Sequence, residues 1–315
     1  TPIYNTVSDA YGLIKLINPG AYSNLDSFQY QHEHTEDIDG RRTVVAFKNL
    51  DVLHANLYKN ARRVTKGQVL KLKEPTIDII DVELTPEHMK LYKQILNERW
   101  AELEGEVLDL TTQQKLRMVL NQVVSCPEKF DDSGKGVHNN LIEMIEEQLD
   151  SMGVGGLRLD PRGLPLGNGA LEKCIVFCYF NNTVASMMEK FKHLNPISIY
   201  GGNTAAQNDR SRRAFEDPAS SPLMFANPES GGVGLNFQYV CRYEVFAEPT
   251  AVPGLFKQAI DRVDRDGQVY APEIKVLRAL GTSFPAAIRN MLRKAADAQE
   301  VVRDPKSLFD QMLGA

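Results

Sequence analysis

An α/β fold built on a parallel sheet with flanking helices, preceded by a mostly helical region, is what this sequence predicts, and three observations predict it. From about Leu171 onward, short apolar runs alternate with segments of helical period, the pattern of strands joined by crossover helices. The runs are almost continuously apolar, which suits strands covered on both faces. The first half carries capped, helix-period segments instead.

In chain order, IDIIDVEL (77–84) alternates weakly and reads as a strand. TPEHMKLYKQILNERW (85–100) has a Thr cap, Pro at the first helical position, an early Glu, and Met89, Tyr92, Leu96 and Trp100 at helical spacing. QQKLRMVLNQVV (113–124) and NLIEMIEEQL (140–149) continue the helical character, and the Gly- and Pro-rich stretch 153–169 is a loop. CIVFCYF (174–180) opens the second half as a strand. A helix comes next, with Thr183 as its cap and Val184, Met187, Met188, Phe191 and Leu194 on its buried side. ISIY (197–200), a Gly201-Gly202 turn and a polar helix ending near Phe215 continue the chain. PLMFA (222–226) leads into the glycine-rich SGGVGLN (230–236). CRYEVFA (241–247) is a strand, FKQAIDRVDR (256–265) a helix, IKVLRAL (274–280) the last strand, and Phe284 to Gln299 a terminal helix. No repeat of fixed period is present.

With 315 residues, 43% apolar and 24% charged, the composition is that of a soluble globular protein with one or two cores. No window approaches the roughly 18 apolar residues of a membrane span, and the first residues carry no export signal, so no membrane partner and a cytoplasmic location are expected. The net charge of −5 means that any nucleic acid is met by local basic patches and backbone amides. Cys126, Cys174, Cys178 and Cys241 are too scattered for a disulfide framework, and Cys174 and Cys178 read as small core residues. His32 and His34 are spaced to chelate a metal in a strand, but they lie in the acidic run QHEHTEDIDG, which reads as a solvated loop; no metal site is expected.

Three segments could carry chemistry. In SGGVGLN, Gly232 and Gly234 let the backbone approach a phosphate, although a tight turn without a ligand looks the same. In QAIDRVDRDGQ, a helix would place Gln258, Arg262 and Arg265 on one face at i, i+4 and i+7. Two adjacent arginines repel unless an anion lies between them. They read either as a pair of arginine fingers or as an exposed helix on which Asp261 pairs with Arg265. In YGGNTAAQNDRSRRAF, Asn203 or Thr204 would cap a helix beside a glycine turn, a ready phosphate site. Its Arg210, Arg212 and Arg213 taken alone read as a solvated face.

Taken in order, KCIVFCYF, GGNT with Arg210 and Phe215, SGGVGLN, QAIDRVDRDGQ and IKVLRALGT resemble the second, RecA-like motor lobe of the Swi/Snf-like ATPases of helicase superfamily two. Arg265-Asp266-Gly267-Gln268 matches the Arg-x-Gly-Gln end of that family's sixth motif. TPIYNTVSDAYGLIKLINPGAY (1–22) is similar to its third motif and the Leu-rich helix after it, NARRVTKGQVLKLKEP (60–75) to its Arg-Arg segment, and KLRMVLNQVVSCP (115–127) to the helix before lobe two. The resemblance implies three regions: 1–84 as the end of motor lobe one, 85–135 as a helical linker, and 136–315 as lobe two. It implies Arg262 and Arg265 as catalytic fingers, Gly232, Gly234 and Gln258 at ATP, and Gly202, Thr204, Arg210 and Asn227 at duplex DNA. Three departures stand out: EPTAVPG (248–254) replaces Trp-Asn-Pro, Asp264 replaces a His, and Asn227-Pro228 replaces a Ser/Thr.

The chain contains no Gly-x-x-x-x-Gly-Lys-Ser/Thr and no Asp-Glu-x-His after an apolar strand, so the lysine cradle and magnesium carboxylates of such a motor are missing. The expectation is therefore the carboxyl-terminal part of a longer DNA-dependent ATPase, inert alone, whose ATP and Mg2+ are bound with a first lobe. It would lie with cellular DNA, in the nucleus of a eukaryote. The competing expectations are a non-catalytic DNA- or protein-docking module, for which Asp264, Asp266 and the basic stretch from Lys59 to Lys73 speak, and the translocase subunit of a restriction system.

Overall fold

The computed structural model describes residues 2–38, 40–103, 106–110, 112–131, 136–229, 235–305 and 307–312. They form two compact units, one made of residues 1–71, 251–257 and 289–314, the other of 72–250 and 258–288.

The first unit begins with helices α1 (Ala10–Ile17) and α2 (Leu25–His32), the second capped by Asn24, whose side chain accepts from the Ser27 amide. Next is an antiparallel pair, β1 (Glu33–Ile38) with β2 (Arg41–Phe47), then α3 (Leu50–Tyr58) and the short α4 (Lys66–Val69). Val7, Ile14, Phe28, Leu53 and Val301 are buried at its centre. The run QHEHTEDIDG is not the solvated loop its acidity suggests. His32 ends α2 fully buried, with Nε2 2.6 Å from the Tyr22 hydroxyl and Nδ1 3.2 Å from the Lys48 carbonyl oxygen. The acidic residues after it form an exposed hairpin strand. Both ring nitrogens of His32 are thus engaged in hydrogen bonds, and burial pulls its pKa below its ordinary value.

The second unit holds a six-stranded parallel sheet. Its elements are β3 (Thr76–Val82), α5 (Pro86–Glu98), the hairpin β4 (Trp100–Leu103) and β5 (Glu106–Asp109), α6 (Gln113–Ser125), α7 (Asn140–Ser151), β6 (Cys174–Phe177), α8 (Asn181–Lys190), β7 (Ile197–Ile199), α9 (Ala205–Glu216), β8 (Leu223–Ala226), β9 (Tyr243–Phe246), the end of α10 (Pro253–Ile260), β10 (Glu273–Ala279) and the start of α11 (Phe284–Val302). The strand order is β3-β10-β9-β6-β8-β7, every neighbouring pair parallel. The central strands β6, β8 and β9 are buried along their whole length, β6 and β8 being continuously apolar and β9 burying Glu244 as well. Val176, Phe225, Val245 and Leu277 pack with Tyr92, Val123, Leu141, Met187 and Phe284 from the covering helices. Cys126, Cys174, Cys178 and Cys241 are all buried free thiols, and burial pushes the Cys126 and Cys241 pKa values up to about 12.

The expected division at residues 84 and 135 does not follow the packing. β3 pairs with β10 over seven residues, Thr76 opposite Glu273 through Val82 opposite Ala279, and so belongs to the same sheet as the later strands. Helices α5 and α6 share that sheet's core rather than forming a separate linker.

Candidate functional site

The loops at the carboxyl ends of the central strands are tied to one another before they meet anything else. Glu248, just past β9, is 3% exposed and accepts from the Phe180 amide at 3.2 Å, from the Thr183 hydroxyl at 2.8 Å, and from the Tyr179 amide. Burial raises its pKa, opposed by the hydrogen bonds from Ser125, Thr183, Tyr179 and Phe180. Thr183 is therefore not the cap of α8. That helix starts at Asn181, and Glu248 satisfies the amides at its entrance from outside. Asn227, expected at DNA, is turned inward: its amide donates to the Tyr179 carbonyl, and its Oδ1 accepts from the Glu229 amide at 2.8 Å. Asn227 clasps the end of β8 to the end of β6.

Beyond β7, Gly202 lies where a Cβ would come within 2.4 Å of the Tyr200 ring. Of the two candidate caps, Thr204 is the one: it accepts from the Gln207 amide at 3.3 Å, and Gln207 reaches back to the Thr204 amide at 2.7 Å. On α9, Arg212 pairs with Asp209 and Glu216, and Arg213 pairs with Asp209, so their charge is matched within the helix. Arg210 is exposed and has no such pair among the described residues. The buried Lys173 ammonium donates to the carbonyls of Phe215 and Asp217 at 3.1 and 2.6 Å, closing the carboxyl end of α9.

The second cluster joins the end of the glycine-rich loop to the arginine segment. Gly232 and Gly234 lie outside the described residues, but Leu235 and Asn236 do not. Arg265 Nη1 donates to Asn236 Oδ1 at 2.5 Å, Arg262 Nη1 to the Leu235 carbonyl at 3.4 Å, and the Phe237 amide to the Arg262 carbonyl at 3.1 Å. The Phe237 ring meets Phe215 of α9 edge-on, centroids 5.1 Å apart.

The expected helix 256–265 is shorter than its sequence suggests: α10 ends at Ile260. Past Ile260 the amides largely leave the four-residue ladder: Arg262 donates to the Ala259 carbonyl at 2.9 Å and Val263 to Ile260 at 3.1 Å, three residues back, and Arg265 to Val263 at 3.1 Å. Gln258 lies on the helix, half-buried, while Arg262 and Arg265 lie on the turns after it; the shared-face argument fails, yet the two arginines are still neighbours. Arg262 is 7% exposed, and its Nε has no hydrogen-bond partner. Burial lowers its pKa first, Arg265 adds to that, and Asp261 and Glu244 oppose it. A buried guanidinium with a cationic neighbour is a setting in which an anion is welcome.

The sequence alone does not reveal how the Arg-x-Gly-Gln ending works. Gly267 has φ +96°, a conformation that favours glycine. Gln268 donates to the carbonyls of Cys241 and Val263 and accepts from the Tyr270 amide, locking the turn onto the start of β9. Among the described residues no hydrogen bond or ion pair joins the Gly202, Thr204 and Arg210 group to Arg262 or Arg265. No group of three His, Cys, Asp or Glu side chains among them could hold a metal ion.

Residues 1–129 match the family described as SNF2-related domain. The chain is similar to ATP-dependent helicases of the SNF2 type. An ATP-dependent helicase of Mycoplasma genitalium is 24% identical over 85% of this chain, which spans 24% of that protein. The DNA repair and recombination protein RAD54 of Saccharomyces cerevisiae is 22% identical over 85% of the chain, here 32% of the relative's length. The chain thus spans about a quarter to a third of these relatives. The crystal structure of the C-terminal part of the Fun30 ATPase domain superposes with a TM-score of 0.51 at 14% identity, covering 70% of this chain and 89% of that one, a likeness of fold. The RecA-like lobe expected from the sequence is the fold observed.

Proposed function

We propose that this chain is the carboxyl-terminal portion of an ATP-driven motor that translocates on DNA, to which it contributes Arg262 and Arg265 as fingers and loops that meet the DNA backbone. The observation that carries the reading is the arginine pair itself. Arg262 is buried with an unpartnered Nε, and Arg265 is exposed beside it, positioned by Asn236. Planar, permanently charged forks in that arrangement suit the charge that spreads over a γ-phosphate during transfer.

The arginine pair fits the phosphate end of ATP, and among the described residues no group of three His, Cys, Asp or Glu could hold a metal ion, so in this reading magnesium is bound by residues of another lobe together with the lysine cradle. Bound there, ATP with its metal supplies the phosphoryl group, and this chain stabilises the charge as the lobes close. At DNA, Gly202 and Thr204 present a helix amino terminus and Arg210 a solvent-facing cation, contacts that read backbone rather than sequence. Asn227 acts in this reading as the clasp that shapes the loop and not as a direct contact.

The test is Arg265→Ala in the full-length protein. DNA-stimulated hydrolysis is expected to fall by about a thousandfold or more with ATP binding retained. Unchanged turnover overturns the assignment. The 315-residue chain alone is expected to hydrolyse no ATP.

A further inference from the structure

Between α3 and α4 of the first unit runs a basic segment that the proposed motor chemistry does not use, and it is fixed at three points. Asn60 Nδ2 donates to the Ile17 carbonyl at 2.9 Å. Arg63 donates through Nε and Nη2 to both carboxylate oxygens of Asp304, at 2.5 and 2.6 Å. The Thr65 amide donates to Gln68 Oε1 at 2.9 Å. Between these anchors residues 61–64 form neither helix, strand nor turn.

The anchors leave a definite set of groups outward. Lys59 and Arg62 are exposed, and neither has a hydrogen bond or ion pair among the described residues. Asp304 cancels the charge of Arg63 but not theirs, so a chain of net charge −5 carries a local positive excess here. Val64 is 55% exposed beside them. The main chain of residues 61–64 makes no hydrogen bond with any described residue, which leaves its amides and carbonyls to solvent or a partner. Holding an irregular main chain in place costs conformational entropy, and a merely solvated loop needs no bidentate ion pair beneath it.

We infer that residues 59–64 are a docking strip for an acidic peptide segment of another protein, one in which acidic and apolar side chains alternate. The peptide lies alongside in extended form: its main chain pairs with that of residues 61–64, its carboxylates meet Lys59 and Arg62, and its apolar side chains cover Val64. Charge complementarity calls for the acid, the exposed valine for the apolar residue, and the open main chain for the extended form. Duplex DNA fits less well. Its phosphates accept from the cations, but they have no donors for the open carbonyls and no apolar group for Val64. The strip is independent of the arginine pair.

Fluorescence anisotropy on the full-length protein tests this with three labelled probes: a short peptide alternating glutamate and valine, the same peptide N-methylated so that it lacks main-chain donors, and a counterpart alternating lysine and valine. Wild type is expected to bind the acidic peptide, to bind the N-methylated form about tenfold or more weakly, and to ignore the lysine peptide. Lys59→Glu combined with Arg62→Glu is expected to weaken the acidic peptide about tenfold or more and to gain the lysine peptide, a gain that a misfolded protein would not show. Arg210→Ala is expected to leave the acidic peptide unchanged. The strip is overturned if wild type ignores the acidic peptide, if N-methylation or the charge reversal leaves its affinity unchanged, or if Arg210→Ala weakens it. A charge reversal that weakens duplex DNA instead of the peptide overturns it as well and assigns these cations to nucleic acid.

Discussion

Arg265 donates to the side-chain oxygen of Asn236 at 2.5 Å across 29 residues of sequence, so the last residue of the glycine-rich run holds the exposed arginine of the Arg-x-Gly-Gln turn. Such a contact positions a group rather than reacting with anything. Asn236→Ala in the full-length protein is therefore expected to lower kcat for DNA-stimulated ATP hydrolysis by about tenfold while leaving KM for ATP little changed, since a misplaced finger costs the transition state more than the ground state. Steady-state kinetics checks it, and an equal change in both constants would speak against a positioning role.

Two glycines give opposite stability predictions. Gly267 has φ +96° and a tyrosine ring where a Cβ would go, so Gly267→Ala is expected to destabilise the second unit by roughly 1–3 kcal/mol. Gly12 sits inside α1 with nothing within 4 Å of a Cβ, so Gly12→Ala is expected to stabilise the first unit by about 0.5–1 kcal/mol. Denaturant unfolding of the chain measures both.

The arginines of α9 divide by their partners. Arg212 is held by Asp209 and Glu216, whereas Arg210 is exposed without an ion pair among the described residues. Arg210→Ala is expected to weaken duplex DNA binding for every sequence and to reduce the slope of log affinity against log salt by about 1. Arg212→Ala is expected to leave that slope unchanged. Titrations of the full-length protein at several salt concentrations decide between them.

Legibility in the sequence depends on which forces are local. CIVFCYF, PLMFA and IKVLRAL are legible as strands because continuous apolarity has few other uses, and the cap of α9 is legible because Thr204 and Gln207 are three residues apart. The place of β3 is not legible: its partner β10 lies 197 residues away, and nothing in IDIIDVEL names it. The setting of His32 is hidden for a similar reason, since Tyr22 and Lys48, which bury it, are supplied by the fold and not by the acidic run around it. The end of α10 is not legible either: past Ile260 the chain turns largely to three-residue bonds, and the Arg262 carbonyl is taken by the Phe237 amide from another loop. The arginine pair is visible as a motif, but its bonds to Leu235, Asn236 and Phe237 are supplied by the fold.

The imidazole of His88 gives a prediction in acid. It is fully buried on α5 and its Nε2 lies 2.8 Å from the Val123 carbonyl oxygen, which fixes Nε2 as the protonated nitrogen of a neutral ring. Its Nδ1 is buried with no hydrogen-bond partner, so a second proton would place an unpaired charge in the core. Burial accordingly lowers its pKa below 6.5, outweighing the Val123 bond and Glu128. Between the lowered folded value and 6.5 the unfolded chain binds more protons, so this group's contribution is fully present above 6.5 and is lost as pH falls through the folded value. His32 shifts in the same direction in the first unit. Denaturant midpoints are therefore expected to fall as the pH drops from about 7.5 to about 5.5. His88→Gln, whose amide can still reach the Val123 carbonyl but cannot titrate, is expected to flatten the acid slope of the second unit; a slope identical to wild type would show that the proton is taken up elsewhere.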